Sequence, residues 1–175
     1  MKNIFAFIVF AALFAGIGAY FGNKHTEPAA PASTAVGALM QLSFPDANGK
    51  AHNMSEWQGK TVLLNFWATW CPPCVSEMPE LVQLQKDLAG KNLQIVGIGI
   101  DSRTNILDFA NKHQISYPLL VGGMEGTTVS KQFGNDTGGL PFTVLITPDG
   151  TVHKTYMGRL DMQKVRADLL PLLPR

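Results

Sequence analysis

Runs and alternations of apolar residues divide the chain into an N-terminal apolar stretch, a proline-rich interval and a series of short elements. Residues 61–67, Thr-Val-Leu-Leu-Asn-Phe-Trp, form a nearly continuous apolar run, the pattern of a strand buried on both faces. Leu93 to Ile100 repeats that pattern. Between them Met78, Leu81, Val82 and Leu88 recur at helical spacing, and Gly90 suits a helix end. A second helix is predicted from about Thr104 to His113, with Ile106, Phe109 and Ala110 on one face. Pro118 to Val121 reads as a short strand and Thr127 to Phe133 as a short helix. Phe142–Thr147 and Thr151–Met157 flank Pro148-Asp149-Gly150, which predicts a hairpin. A last helix is expected from Asp161 to Leu170, turning Met162, Val165, Leu169 and Leu172 inward. Upstream, Leu39–Phe44 and Ala51–Met54 surround Asp46-Ala47-Asn48-Gly49 and predict an N-terminal hairpin. Strands alternating with helices, then a hairpin and a closing helix, predict a mixed α/β sandwich.

Ile4 to Gly22 carries no charge, and as a helix it spans roughly 28 Å, close to the thickness of a bilayer core. Lys2 and the free amine precede it, while Lys24 and Glu27 offset each other after it, which favours an N-in, C-out orientation. The stretch, residues 1–22, reads as an uncleaved membrane anchor. A cleaved signal peptide is the competing reading, with Gly16 and Gly18 as small residues but no Ala-x-Ala pattern. Either way the remaining chain is exported. Residues 23–37 are rich in Ala and Pro and read as a spacer or a disordered leader. The folded domain is expected at residues 38–175.

At 175 residues the chain has room for one domain with a full core. Its 14 Lys and Arg against 13 Asp and Glu are scattered, so no basic stripe marks a nucleic-acid partner. Only 2 cysteines are present, Cys71 and Cys74. A bridge closing so short a loop removes little entropy from the unfolded chain, so it is not explained by stability. A zinc site needs two further ligands, and His25, His52, His113 and His153 are isolated from one another. Redox chemistry is the reading that remains.

Cysteines at i and i+3 lie about one helical turn apart, close enough to form a small disulfide ring. With Cys71 at a helix N-terminus, its thiolate meets the positive end of the dipole and unpaired N–H groups. That lowers its pKa and supplies the thiolate that disulfide exchange needs. Pro72 and Pro73 fit a first helical turn, and they remove backbone donors near Cys71.

Leu64-Asn65-Phe66-Trp67-Ala68-Thr69-Trp70-Cys71-Pro72-Pro73-Cys74, followed by Glu77 and Pro79, resembles the TlpA/ResA branch of the thioredoxin superfamily. The likeness extends from about Leu42 to the C-terminus and includes Gly139-Leu140-Pro141 before a strand. It implies a thioredoxin-like fold: a central mixed sheet flanked by helices, an N-terminal β-hairpin and a central βα insertion. It implies a membrane-tethered, extracytoplasmic thiol–disulfide oxidoreductase, sited at the bacterial inner membrane with its domain in the periplasm. Cys71 is then the exposed nucleophile and Cys74 the buried resolving thiol. Pro141 is then a cis-proline that exposes the Leu140 backbone to an extended substrate segment, with an ordinary strand-entry proline as the alternative. Trp70 shields the Cys71 side and offers a flat contact, while Trp67 and Trp57 read as packing residues. Where cytoplasmic thioredoxins carry a buried Asp this chain has Asn65, which cannot titrate. Glu77 matches a Glu of the ResA-like proteins and is the candidate proton acceptor for Cys74, against a simple complement to the helix dipole. Pro79 reads as a tolerated helix kink.

No organic cofactor or metal is needed beyond the redox-active Cys71–Cys74 pair. The family implies protein disulfides as substrates, apocytochrome c or a copper-site assembly protein among them, and a membrane thiol transporter as electron donor. Three rivals stand beside it. Gly97-Ile98-Gly99-Ile100-Asp101-Ser102 resembles a peroxiredoxin segment, but that class wants Thr where Ala68 stands. A copper-binding chaperone would lack a third ligand, and an oxidant of the DsbA kind would run the same chemistry in reverse.

Overall fold

The computed structural model describes residues 32–174. Five strands form the central sheet in the order β5-β4-β3-β6-β7. β3 (Thr61–Trp67) lies at its centre with every residue buried. It runs parallel to β4 (Leu93–Gly99), which runs parallel to β5 (Leu119–Val121). On its other side β3 pairs antiparallel with β6 (Phe142–Ile146), and β6 with β7 (Val152–Met157). The apolar runs made β3 and β4 legible because parallel central strands face protein on both sides.

Alternate residues of β3 feed two cores. Leu63 and Trp67 point to the layer built by α2 (Pro72–Asp87), α3 (Arg103–His113) and α5 (Met162–Leu169), where Met78, Ile106 and Val165 are fully buried. Val62, Leu64 and Phe66 point to the opposite layer, under α1 (Ala32–Leu39), α4 (Gly123–Gln132) and the two-stranded hairpin of β1 (Ser43–Pro45) and β2 (Ala51–Asn53). Asp46 shapes the hairpin turn by accepting from the Asn48 and Lys50 N–H groups at 2.8 and 2.9 Å. The α/β sandwich and its N-terminal hairpin are as the patterning and the resemblance predict.

Three expectations change. The spacer expected at residues 23–37 ends in α1, where Ala35 and Val36 are buried, and Leu39, expected to begin a strand, closes that helix. Small apolar residues over eight positions give too little periodic signal to separate such a helix from a linker. α4 begins at Gly123, four residues earlier than its predicted start. Its glycines look like helix breakers, yet Gly126 is buried against the sheet, where a Cβ would lie 2.7 Å from Ile100 Cδ1. Helix α5 stops at Leu169 and a short 3-10 turn, Leu170–Leu172, follows. Of its four predicted inward residues Val165 and Leu169 are fully buried, while Met162 and Leu172 are half-buried. The apolar stretch 1–22 lies outside the described residues; among those described, no helix is long and apolar enough to cross a membrane.

Because Leu39 is fully buried, Leu39→Ala should cost about 2–5 kcal/mol of unfolding free energy in urea titration. A loss within about 0.5 kcal/mol, the range of a surface change, would detach α1 from the cooperative unit.

Candidate active site

Four chain segments meet at one end of the sheet because of strand register. Phe66 pairs with Phe142, and Phe142 with Met157, so the C-terminal end of β3 lies beside the start of β6 and the end of β7. Trp67 pairs with Gly99, which brings the end of β4 to the same place. The segments leaving these strands are residues 68–74, 100–102, 139–141 and 158–160.

Cys71 is the N-cap of α2 and is joined to Cys74 in a disulfide, with their Cα atoms 5.3 Å apart. Cys71, expected to be exposed, is only 4% exposed, because its Sγ is bonded to Cys74 and the pair packs into the core cluster; Cys74 is fully buried, as expected. The Cys74 N–H donates to Cys71 Sγ at 3.4 Å. Pro72 and Pro73, at the first two helical positions, have no N–H to add. The helix continues through exposed Pro79 to Asp87. Trp70 projects beside the pair and is 66% exposed, whereas Trp67 and Trp57 are buried as packing residues.

Asp101 fixes the approach to the cysteines. Its carboxylate accepts from Thr69 N–H at 3.2 Å and from the Thr69 hydroxyl, and its other oxygen accepts from Ser102 N–H and Asn105. Burial opposes its charge, but these hydrogen bonds outweigh it and hold its carboxyl below the ordinary value. Sequence reading placed Asp101 only in a peroxiredoxin-like segment and missed this role.

The Leu140–Pro141 peptide bond is cis. Pro141 is buried and its carbonyl accepts from Gly158 N–H at 2.9 Å. Fully buried Asn135 steadies the loop from behind, donating to the Gly139 carbonyl at 3.0 Å and to Ser130. No backbone hydrogen bond engages Leu140 among the described residues. Its side chain packs against the core cluster that contains Cys71 and Cys74.

Glu77 lies one turn beyond Cys74 and is fully buried. Asn65 Nδ2 donates to Glu77 Oε1 at 2.9 Å and to Thr143 Oγ1 at 3.0 Å; Leu160 N–H donates to Glu77 Oε2 at 2.8 Å. Burial pushes the Glu77 carboxyl above its ordinary value of 4.5. The Leu160 and Asn65 hydrogen bonds and the Arg159 charge pull it back in part, while Glu80 adds to the rise. Its charge reaches Tyr117, whose buried hydroxyl lacks a partner and is held well above its ordinary pKa, by burial first and by Glu77 second. A helix-dipole role alone does not account for a buried carboxylate with three elements gathered on it.

Residues 36–155 match the family model described as the AhpC/TSA family. The chain is 29% identical to the thiol-disulfide oxidoreductase ResA of Geobacillus thermodenitrificans over 99% of its own length and 95% of the relative's. It is 30% identical to ResA of Oceanobacillus iheyensis over 78% of this chain and 69% of that one. Among solved structures, a thiol:disulfide interchange protein of the thioredoxin family from Chlorobium tepidum superimposes with a TM-score of 0.68 at 27% identity. That match covers 75% of this chain and 92% of that one.

A carboxyl whose folded pKa lies above its unfolded value binds a proton more readily when folded, so stability falls as pH rises between the two. The oxidised protein should lose unfolding free energy above pH 4.5 through this group, and Glu77→Gln should flatten that slope. Chemical denaturation across pH 4.5 to neutrality checks it, and parallel curves for the two proteins would contradict it.

Proposed function

We propose that this chain, which belongs to the AhpC/TSA family and is a ResA-like thiol–disulfide oxidoreductase, reduces protein disulfides outside the cytoplasm. The observation that carries the direction is the donor-poor start of α2. A thiolate on Cys71 receives one backbone N–H, from Cys74, because positions 72 and 73 are prolines. The buried carboxylate of Glu77 adds a second cost to any thiolate beside it. Strongly oxidising couples are those whose reduced form is stabilised; a thiolate with few donors favours the disulfide and gives up its electrons readily.

In the reaction, reduced Cys71 attacks one sulfur of a client disulfide, the client S–S bond breaks, and a client thiolate leaves. Cys74 passes its proton to Glu77 and attacks Cys71 Sγ, releasing the second client thiolate. The client gains two electrons and, from Glu77 and solvent, two protons; the protein gives up those two electrons as its own thiols become the Cys71–Cys74 disulfide. Trp70 supplies a flat contact at the mouth, and the unengaged Leu140 backbone beside cis-Pro141 pairs with the extended client segment. No organic cofactor or metal takes part.

The uncharged stretch 4–22 behind Lys2 supports export, as an anchor with the domain in the periplasm or as a cleaved signal. Re-reduction by a membrane thiol transporter, with clients in cytochrome c maturation or copper-site assembly, completes the reading by family analogy. A peroxide-consuming reading is favoured by the AhpC/TSA match alone. Against it, buried Ala68 stands where such a site wants Thr, and Cys71 is already paired within its own helix turn.

Cys71→Ala should abolish reduction of a model protein disulfide, and Cys74→Ala should accumulate a mixed disulfide with it on non-reducing gels. Full turnover by either variant, or hydrogen peroxide consumption faster than disulfide reduction by the wild type, would reverse the assignment.

A further inference from the structure

The turn after β7 supplies the Leu160 N–H on Glu77, and something has to keep that turn against α2. Leu160 packs its own side chain into the core, and the neighbouring Arg159 reaches across to the helix. Arg159 Nε donates to Ser76 Oγ at 3.2 Å, and Arg159 Nη2 pairs with Glu80 Oε1. Ser76 Oγ in turn donates to the Pro73 carbonyl at 2.9 Å. A chain of hydrogen bonds therefore runs from Arg159 into the first turn of α2, inside the Cys71–Cys74 segment.

The Arg159 and Glu80 side chains are 51% and 42% exposed. Half-exposed ion pairs of this kind contribute little to folding, so stability does not explain the arrangement. Its geometry does: Arg159 and Leu160 are adjacent, and one holds α2 from outside while the other holds Glu77 from inside.

We propose that Arg159 is a positioning residue of the disulfide exchange: bridging Ser76 and Glu80, it locks the turn after β7 onto α2 and keeps Leu160 N–H on Glu77, so that the carboxylate stays available for the Cys74 proton. The proposal rests on the reading of Glu77 as that proton's acceptor. The groups acting on Glu77 from its neighbours are Asn65 on β3, Glu80 on α2, Tyr117 ahead of β5, and Arg159 with Leu160 on the turn. Arg159 is the positive charge in that set. Loss of it removes a charge that favours the carboxylate and loosens a hydrogen bond that does the same. Glu77 then holds its proton to higher pH, and the base is absent over more of the acidic range.

Three variants of the full chain test this: Arg159→Met, Arg159→Lys and Glu77→Gln. Glu77 ionisation is followed in the oxidised protein by carboxyl NMR, and disulfide reductase turnover is measured against pH. Arg159→Met should move the Glu77 titration and the acidic limb of the turnover profile to higher pH together. Arg159→Lys, which keeps the charge, should restore part of both shifts. Glu77→Gln should remove that limb and make Arg159→Met silent in the double variant. If Glu77→Gln removes the limb but Arg159→Met leaves limb and titration in place, the clamp is overturned and the Glu77 reading stands. If Glu77→Gln leaves the profile unchanged, both fall.

Discussion

A carboxylate cut off from water must be held by protein donors, because an unpaired charge in the interior costs several kcal/mol, roughly. At Glu77 the donors come from a central strand, through Asn65, and from the turn after the last strand, through the Leu160 backbone. This group therefore ties α2, β3 and the β7–α5 turn to one point beneath the Cys71–Cys74 pair. The register of β3 with β6, and of β6 with β7, delivers those partners to the same end of the sheet. Hydrophobic packing alone would tolerate a sliding or looser turn; the carboxylate does not, since each lost donor leaves it further from compensation.

The same constraint shapes the chemistry. A helix start ordinarily offers several N–H groups to an anion. Here two of the nearest positions are prolines, and a buried carboxyl group sits one turn behind the second cysteine. In the proposed reaction a Cys71 thiolate would sit at a helix start with fewer backbone donors than a donor-rich start offers. A less stabilised thiolate is also intrinsically the better nucleophile. That gain is offset by a smaller thiolate fraction, so what the arrangement bears on most is the proposed reducing direction. On the other side of the site Asp101 holds Thr69 and Asn135 holds Gly139, so the segments that flank the pair are fixed by buried or half-buried polar contacts and not by apolar packing alone.

Much of this was legible in the chain before any coordinates. The nearly continuous apolar runs at 61–67 and 93–100 announced central parallel strands, and Pro148-Asp149-Gly150 announced the hairpin. The cysteine spacing, the two prolines, Pro141 and Glu77 pointed to the site. What escaped were elements and contacts with weak local signals. Helix α1 is built of small residues, and α4 carries a glycine in its second turn, Gly126, that serves close packing against Ile98 of β4. Arg159, Asn135 and Asp101 look like ordinary polar loop residues in sequence. Arg159 lies 79 residues from its partner Glu80, and only the fold brings the two together. Asn65 was legible as a departure from the titrating Asp of cytoplasmic thioredoxins, but its use as a donor to Glu77 was not.

The most direct test of the account is the reduction potential of the Cys71–Cys74 couple, measured by equilibration against a thiol buffer of known potential. A donor-poor helix start over a buried carboxylate predicts a reducing value, near the thioredoxin range of about −270 mV. A value near about −120 mV, in the range of DsbA, would mean that the thiolate is well stabilised after all, and would contradict it.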